Sequence, residues 1–503
     1  MDRTLEETYD GLMADTKEIA DLHHVSEILE WDQEVMMPPR GIEARSRQVA
    51  LIAGVMHQRS TDPRRGNWIA ELEARSGELN DEQKAVLREI KRDYEMSTKL
   101  PPDLVQEISR TTSIAHNEWI KSRAQKDFSI FAPHLETIVG LKKRVAEIWG
   151  YAETPYDALL NAYEPGATTA SIGKRLGELR EKLVPWVEKI AAAPAPRRDF
   201  LTKNFPIEQQ KKLARAAMEV IGFNTDGGRL DIAVHPFCTG TGGDVRLTTR
   251  YFENEPFASF YGVLHEAGHG LYEQGLREDA LGTPLGWSST MAIHESQSRM
   301  WENEIGRSRA FLKFFESRLQ EAYPTQLSGV SIDELYAAIN HVEPSLIRVE
   351  ADEVTYGLHI ALRFEIERDL LSGELSVSDL PAAWNKKVEE YLGITPKDDA
   401  EGCLQDVHWS IGALGYFPSY ALGSLNAAQF FAKLREDVGD VDGKIEAGDF
   451  GEILEWLHTN IHRHGRRYLP DELVEHVTGK PPAADDFMTY VAEKFGPIYG
   501  ISS

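Results

Sequence analysis

The chain has 503 residues, 42% of them hydrophobic, and carries 81 acidic against 55 basic side chains for a formal charge of −26. That balance excludes nucleic acid and anionic membrane as partners, because the field of the protein repels polyanions. Only two cysteines are present, Cys238 and Cys403, without CxxC spacing, and no apolar run approaches the roughly 18 residues needed to cross a bilayer. The acidic, amphipathic amino terminus has neither a basic n-region nor an apolar h-region, so a cytoplasmic protein is expected.

Helical apolar spacing runs through residues 4–32, 42–77, 80–98, 102–125 and 128–150, with Pro38-Pro39 and Pro101-Pro102 as breaks. Further helices are predicted at 169–192, 206–221, 256–274, 289–322, 332–343, 351–371, 376–392 and 418–437, and the pattern continues to 496. The exception is 231–252, where β-branched residues and the cluster Gly240 to Gly243 predict a short hairpin. Such an edge strand could pair with an extended peptide backbone. No repeat, low-complexity tract or linker divides the chain. The expected fold is therefore all-α, one large helical domain over residues 1–503, with two lobes around a cleft and a small β element.

His265-Glu266-Ala267-Gly268-His269 lies in the predicted helix 256–274. Residues i and i+4 differ by about 40° around a helix and about 6 Å along it, so one tetrahedral zinc can take a nitrogen from both histidines. Phe257, Phe260, Leu264, Ala267 and Leu271 form an apolar stripe, and Gly275 stands where a C-terminal cap belongs. Gly262, Gly268 and Gly270 each cost the helix about 1 kcal/mol relative to alanine, which suggests that something approaches closely. Two buried histidines with a solvated glutamate would give the same string, so the metal reading needs a third ligand.

Glu273 lies about 12 Å along the axis from His265, too far for metal bonds of about 2 Å. The third ligand must come from another helix, and WSSTMAIHESQSRMWENEIG supplies Glu295, with Ser288 or Ser289 as the N-cap. An i,i+4 pair of Glu295 with Arg299 is the simpler account of the same residues. His294 points about 100° away from Glu295 and competes with it, whereas Glu302 shares its face and would sit behind a ligand. Two histidines and one glutamate leave a coordination position open, and Glu266 is then free to act as a base.

A peptidase acting at a C-terminus must hold a free carboxylate, for which the arginine fork is suited; Arg246, Arg299 and Arg348 are candidates. His408, Tyr416 and Tyr420 could donate to an oxyanion. Each of these residue types is also common in ordinary surface or core settings.

Six ordered blocks resemble the carboxypeptidase Taq family of thermostable metallocarboxypeptidases. They are His235-Pro236-Phe237, Asp244 to Thr248, His265 to His269, His294 to Gln297, Ile347 to Asp352, and Gly402 to Trp409; the amino-terminal LEWDQEVMMPPRG is also similar. The resemblance implies an elongated helical body with a deep cleft, like neurolysin and the angiotensin-converting enzymes, usually as a homodimer. It implies zinc held by His265, His269 and Glu295, with Glu266 as base. It makes Arg348 the leading carboxylate anchor and Arg246 a weaker one, with His235 and Tyr416 as further substrate contacts and His408 and Tyr420 facing the scissile carbonyl. Co²⁺ or Mn²⁺ would fit a two-histidine, one-carboxylate site nearly as well as Zn²⁺.

The expected activity is stepwise release of C-terminal residues from peptides with a free carboxylate and varied side chains. The alternatives are an oligopeptidase or dipeptidyl carboxypeptidase on the same scaffold, and an inactive metal-bound binding protein.

Overall fold

The computed structural model describes residues 4–501. Helices dominate, and the β content among the described residues is one three-stranded sheet, ordered β1-β3-β2. Its strands are β1 (Gly228–Ile232), β2 (Cys238–Thr241) and β3 (Asp244–Thr249). The hairpin expected in 231–252 is β2–β3, antiparallel with Thr241 opposite Asp244 across Gly242-Gly243. The sequence reading missed β1, which pairs parallel to β3. Its GRLDI places charged residues among half-buried positions, so no β-branched run announces it.

Most helices fall where the apolar period puts them, and the departures have local causes. The expected helix 42–77 is two, Ile42–Ser60 and Pro63–Ala74, because Pro63 cannot continue the first and Asp62 caps the second, accepting from Arg64 N at 2.8 Å. The expected helix 289–322 is three pieces: Met291–Arg299, a π-turn at Met300–Gly306, and Arg309–Ala322, capped where Ser308 Oγ accepts from Phe311 N at 3.1 Å. The N-cap of the first piece is Thr290, not Ser288 or Ser289. A short helix, Pro155–Tyr163, was not foreseen.

Two large apolar clusters make the body. One gathers Leu135, Leu176, Phe364, Trp384 and Trp409; the other gathers Phe260, Leu264, Phe311, Phe315 and Trp456. Two helices belong to both. Met291–Arg299 gives Ala292 to the first and Ile293 to the second, while Pro418–Val438 gives Leu422 and Leu425 to the first and Phe430 and Leu434 to the second. These two helices pack on each other, and Met291–Arg299 packs on Pro256–Gln274, so the motif residues sit where the two cores meet. Rigid support from both sides follows from this placement.

Candidate metal centre

Pro256 at the first helical turn and Gly275 at the C-cap bound the helix that carries His265, Glu266 and His269. Its predicted stripe, Phe257, Phe260, Leu264, Ala267 and Leu271, is buried in the second core. Two of its glycines have the expected reason. A Cβ on Gly268 would stand 2.6 Å from Ser298 Cα and 2.7 Å from Gln297 O, and one on Gly270 would stand 2.6 Å from the Phe223 ring. Gly268 therefore lets this helix approach the backbone of Met291–Arg299. A third glycine completes the approach: a Cβ on Gly423 would meet Glu295 Cγ at 2.4 Å. Glu164 ties the arrangement together, its buried Oε1 accepting from Ala292 N at 2.9 Å and from Ser419 Oγ at 2.7 Å. One carboxylate thus holds the N-termini of both shared helices, where the helix dipoles favour negative charge.

Glu295 Oε2 lies 3.5 Å from His265 Nε2 and 3.5 Å from His269 Nε2. One donor atom from each of the three residues falls within 4.8 Å of the others, and no further set of this kind exists among the described residues. The other ring nitrogens are held from behind. His265 Nδ1 donates to Glu302 Oε2 at 2.9 Å, leaving the Nε2 lone pair free. His269 Nδ1 meets His294 Nδ1, and His294 Nε2 donates to Glu273 Oε1 at 2.9 Å. His294 must then accept at Nδ1, which leaves His269 a donor there and a lone pair at Nε2. Both free lone pairs face the Glu295 carboxylate, as a tetrahedral divalent cation requires.

The competing readings of the sequence resolve by atom. Both ring nitrogens of His294 are occupied, by His269 and Glu273, so it backs His269 as Glu302 backs His265. Glu295 also pairs with Arg299, as the simpler account proposed: Oε1 accepts from Arg299 Nε at 2.7 Å, while Oε2 accepts from Ser298 Oγ at 3.0 Å and faces the imidazoles. Arg307 Nη2 reaches Glu302 Oε1 at 3.1 Å. Arg299 and then the two histidines hold the Glu295 carboxyl well below the usual carboxylate range, against the cost of burial. Glu266 is 7% exposed and has no such cation. Burial pushes its carboxyl up to about 7, opposed by His265 and reinforced by Glu295 and Glu302. Two carboxylates in one site with opposite protonation tendencies suit an anionic ligand beside a proton carrier.

The carbonyl-facing candidates gather beside this set. Tyr420 lies one turn before Gly423 on Pro418–Val438, and the Tyr416 and Tyr420 hydroxyls both feel the Glu295 charge. His408 stacks on Tyr416 at 5.7 Å between ring centroids and meets Tyr420 edge-on at 6.4 Å. Burial and then Arg363 lower its pKa to about 3, so it is a neutral imidazole. Arg348 is 7% exposed and already paired: Nε donates to Asp406 Oδ2 at 3.1 Å, Nη2 to Asp406 Oδ1 at 2.8 Å and Nη1 to Tyr356 OH at 3.2 Å. Of the five N–H groups of a guanidinium, these contacts leave one on each terminal nitrogen. No periodic or motif signal points to Tyr356, whose ring carries Arg299 at 4.6 Å while its hydroxyl holds Arg348.

Two candidates are not brought to the metal set. Arg246 lies on β3 between Val245 and Leu247, whose side chains are buried in the core shared with the Pro256–Gln274 helix, so the strand period turns Arg246 to the opposite face. There it forks onto Asp244, with both contacts at 2.8 Å, and stacks 4.2 Å above Trp31. His235 is exposed in the connection from β1 to β2, its carbonyl accepting from Thr248 Oγ1 at 3.3 Å.

Taken together, an HExxH helix, a glutamate from a second helix and a neighbouring free carboxylate define a metallopeptidase. The family model described as "Carboxypeptidase Taq (M32) metallopeptidase" matches residues 11–495. Carboxypeptidase 1 of Bacillus subtilis (strain 168) is 41% identical over 483 residues, covering 95% of this chain and 96% of its own. Thermostable carboxypeptidase 1 of Thermus thermophilus is 41% identical over 512 residues, covering 99% and 100%. The solved M32 carboxypeptidase of Deinococcus radiodurans R1 superposes with a TM-score of 0.95 at 38% identity, over 98% of this chain and 99% of that one. The chain belongs to the carboxypeptidase Taq (M32) family and is a metallocarboxypeptidase.

His294 offers a test of the relay. His294→Ala leaves all three candidate ligands in place but frees the His269 ring, so metal affinity should fall roughly 10- to 100-fold. Competition with a chromogenic chelator measures this, and an unchanged affinity would remove His294 from the site.

Proposed function

We propose that the enzyme is a zinc carboxypeptidase that releases single C-terminal residues from peptides with broad side-chain tolerance. The observation that carries this reading is the convergence of His265 Nε2, His269 Nε2 and Glu295 Oε2, with the buried Glu266 next to His265 in the chain. The donor set suits zinc, and Co²⁺ or Mn²⁺ would be accepted in its place. When bound, the metal polarises the scissile carbonyl and acidifies water.

The protein's own groups do the remainder. Glu266 takes a proton from the attacking water and returns it to the leaving amine, a traffic that a carboxyl near neutral pKa can carry in both directions. Glu302 and the His294–Glu273 pair keep the imidazoles aimed throughout. Tyr420 and the neutral His408 donate to the oxygen that gains charge, with Tyr416 packed behind them. Arg348 receives the substrate carboxylate through its two uncommitted N–H groups, while Asp406 and Tyr356 fix the plane of its fork. β2 is an edge strand, and Cys238 on it senses the Glu266 and Glu273 charges, so an extended substrate paired to that edge would pass the base.

We further assign residues 1–503 to one domain of two lobes around the substrate cleft, because the chain crosses between the two cores repeatedly. A homodimer is the proposed assembly, to be measured by sedimentation. The cytoplasm is the proposed location: both cysteines are free, and no described helix is long and apolar enough to cross a membrane.

Mass spectrometry of an unblocked peptide and its C-terminal amide, sampled over time, tests the reading. The free acid should shorten one residue at a time, and amidation should lower kcat/KM by roughly 10² or more, since each ~1.4 kcal/mol of lost contact is tenfold. Arg348→Ala should lower it by a similar factor on the free acid and little further on the amide. Equal cleavage of both peptides, or internal fragments appearing first, would establish an oligopeptidase instead.

A further inference from the structure

The short helix Pro155–Tyr163 ends beside the metal centre, and the chain fixes that end from several directions. Pro165 disfavours helical backbone at Glu164, which leaves the helix at φ −124°, ψ 88°. Arg92 Nη2 donates to Asn161 O at 3.0 Å and to Ala162 O at 2.9 Å, holding the last turn. Tyr163 meets Tyr416 edge-on at 5.2 Å between ring centroids, and Tyr416 meets Tyr420 in the same way at 5.2 Å. Two consecutive side chains therefore reach the site, Tyr163 at the tyrosines and Glu164 at the helices Met291–Arg299 and Pro418–Val438.

Those two helices lack caps of their own. Their N-cap residues are Thr290 and Phe417, and neither side chain bonds to the first turn. The first N–H groups of a helix have no partner within it, and a capping side chain normally supplies one. Glu164 takes that place at the first helix through Ala292 N and reaches the start of the second through Ser419 Oγ. Both bonds end on one atom, Oε1, so a single oxygen sets the distance between the two helix starts. Ala292 lies one turn before Glu295, and Ser419 directly precedes Tyr420. Glu164 is 4% exposed, and among the described residues no cation pairs with it. Burying a carboxyl in this way is costly, whereas a serine or aspartate at each N-cap would stabilise both helices at the surface of each turn. What separate caps would not supply is a common reference point.

We propose that Glu164 is a positioning residue of the reaction: through Oε1 it keeps the helix start that carries the candidate ligand Glu295 in register with the one that carries Tyr420. It touches neither metal nor substrate. The Tyr420 half of this inference rests on the proposed function, whereas the Glu295 half rests on the metal set alone.

Three variants test it, each read for metal affinity by chelator competition, for kcat and KM at saturating metal well below the melting temperature, and for the thermal midpoint. Glu164→Ala frees both helices, so metal affinity should fall roughly tenfold or more. Its kcat should fall roughly 10- to 100-fold with KM little changed, because displaced groups cost the transition state more than the bound peptide. Glu164→Gln keeps an oxygen that can accept from both donors and should return metal affinity and kcat to within a few-fold of wild type. Ser419→Ala is the milder change and keeps the test open if Glu164→Ala fails to fold: kcat should fall several-fold while metal affinity holds, since Ala292 keeps its bond. A lowered midpoint in Glu164→Ala with wild-type metal affinity and kcat would make Glu164 a structural tie and overturn the proposal, as would a loss in Glu164→Gln equal to that in Glu164→Ala. Tyr420→Phe reads the proposed function separately. If it cleaves peptides as fast as wild type, Tyr420 leaves the mechanism, and the metal affinities of Glu164→Ala and Glu164→Gln still decide the role of Glu164.

Discussion

Glu266→Gln should lower kcat by roughly 10³ to 10⁴ while the enzyme keeps its full metal content, because the substitution removes a proton carrier and no ligand. The side chain is 7% exposed and bonded to none of the three candidate ligands, so an amide of the same shape fits without moving them. The variant also carries a pH signature in the metal-free protein. Burial raises the Glu266 carboxyl from 4.5 to about 7, so the folded state binds a proton that the unfolded chain has lost over that window. Stability contributed at low pH therefore declines as pH rises from 4.5 to 7 and stays lost above it. Glu266→Gln removes this decline. Its melting temperature, measured without metal, should match wild type near pH 4 and exceed it above about 7. A variant that lost metal along with activity would make Glu266 a ligand and reverse the assignment of roles.

The candidate metal set was legible in the sequence because its geometry is local. Helical period fixes His265 and His269 on one face, and the capped segment that follows offers few carboxylates, of which Glu295 is the one whose Oε2 stands 3.5 Å from both imidazoles. What orients those ligands was less legible, since it depends on how helices cross. His294 reads as a competitor to Glu295 by angle alone, and only the approach at Gly268 and Gly423 shows that it falls behind His269. Arg246 illustrates the opposite failure. Its motif suggested a substrate contact, but strand alternation, once β1 and β3 are paired, turns it toward Trp31. Arg348 stands out in the sequence as a candidate carboxylate anchor, whereas its commitment to Asp406, 58 residues away in the chain, is beyond any periodic signal. The break of 289–322 at a π-turn likewise follows from tertiary demand, since it lets Glu302 reach His265 while Glu304 turns away.

Glu295→Ala should fail in the other way, losing the metal first and activity as a consequence. Removing its carboxylate leaves two imidazole donors, too few for a tetrahedral site with one open position. It also strips Arg299 of the 2.7 Å contact at Oε1 and Ser298 of its side-chain acceptor, leaving Glu302, at 3.6 Å, as the remaining carboxylate beside that guanidinium. Breaking a buried pair from one side typically costs about 3–5 kcal/mol, so the variant should also melt several degrees lower. Glu295→Gln separates the two effects. Its amide oxygen can still accept from Arg299, so most of the stability should return, while the neutral group remains a weak ligand and metal affinity stays low. Gly423→Ala provides the same test from the opposing helix. The added methyl would stand 2.4 Å from Glu295 Cγ and must displace either the carboxylate or the helix, so metal affinity should fall although no ligand has been altered. Elemental analysis after dialysis against a weak chelator reads all three variants on one scale. Full occupancy in Glu295→Ala would mean that the third ligand lies elsewhere.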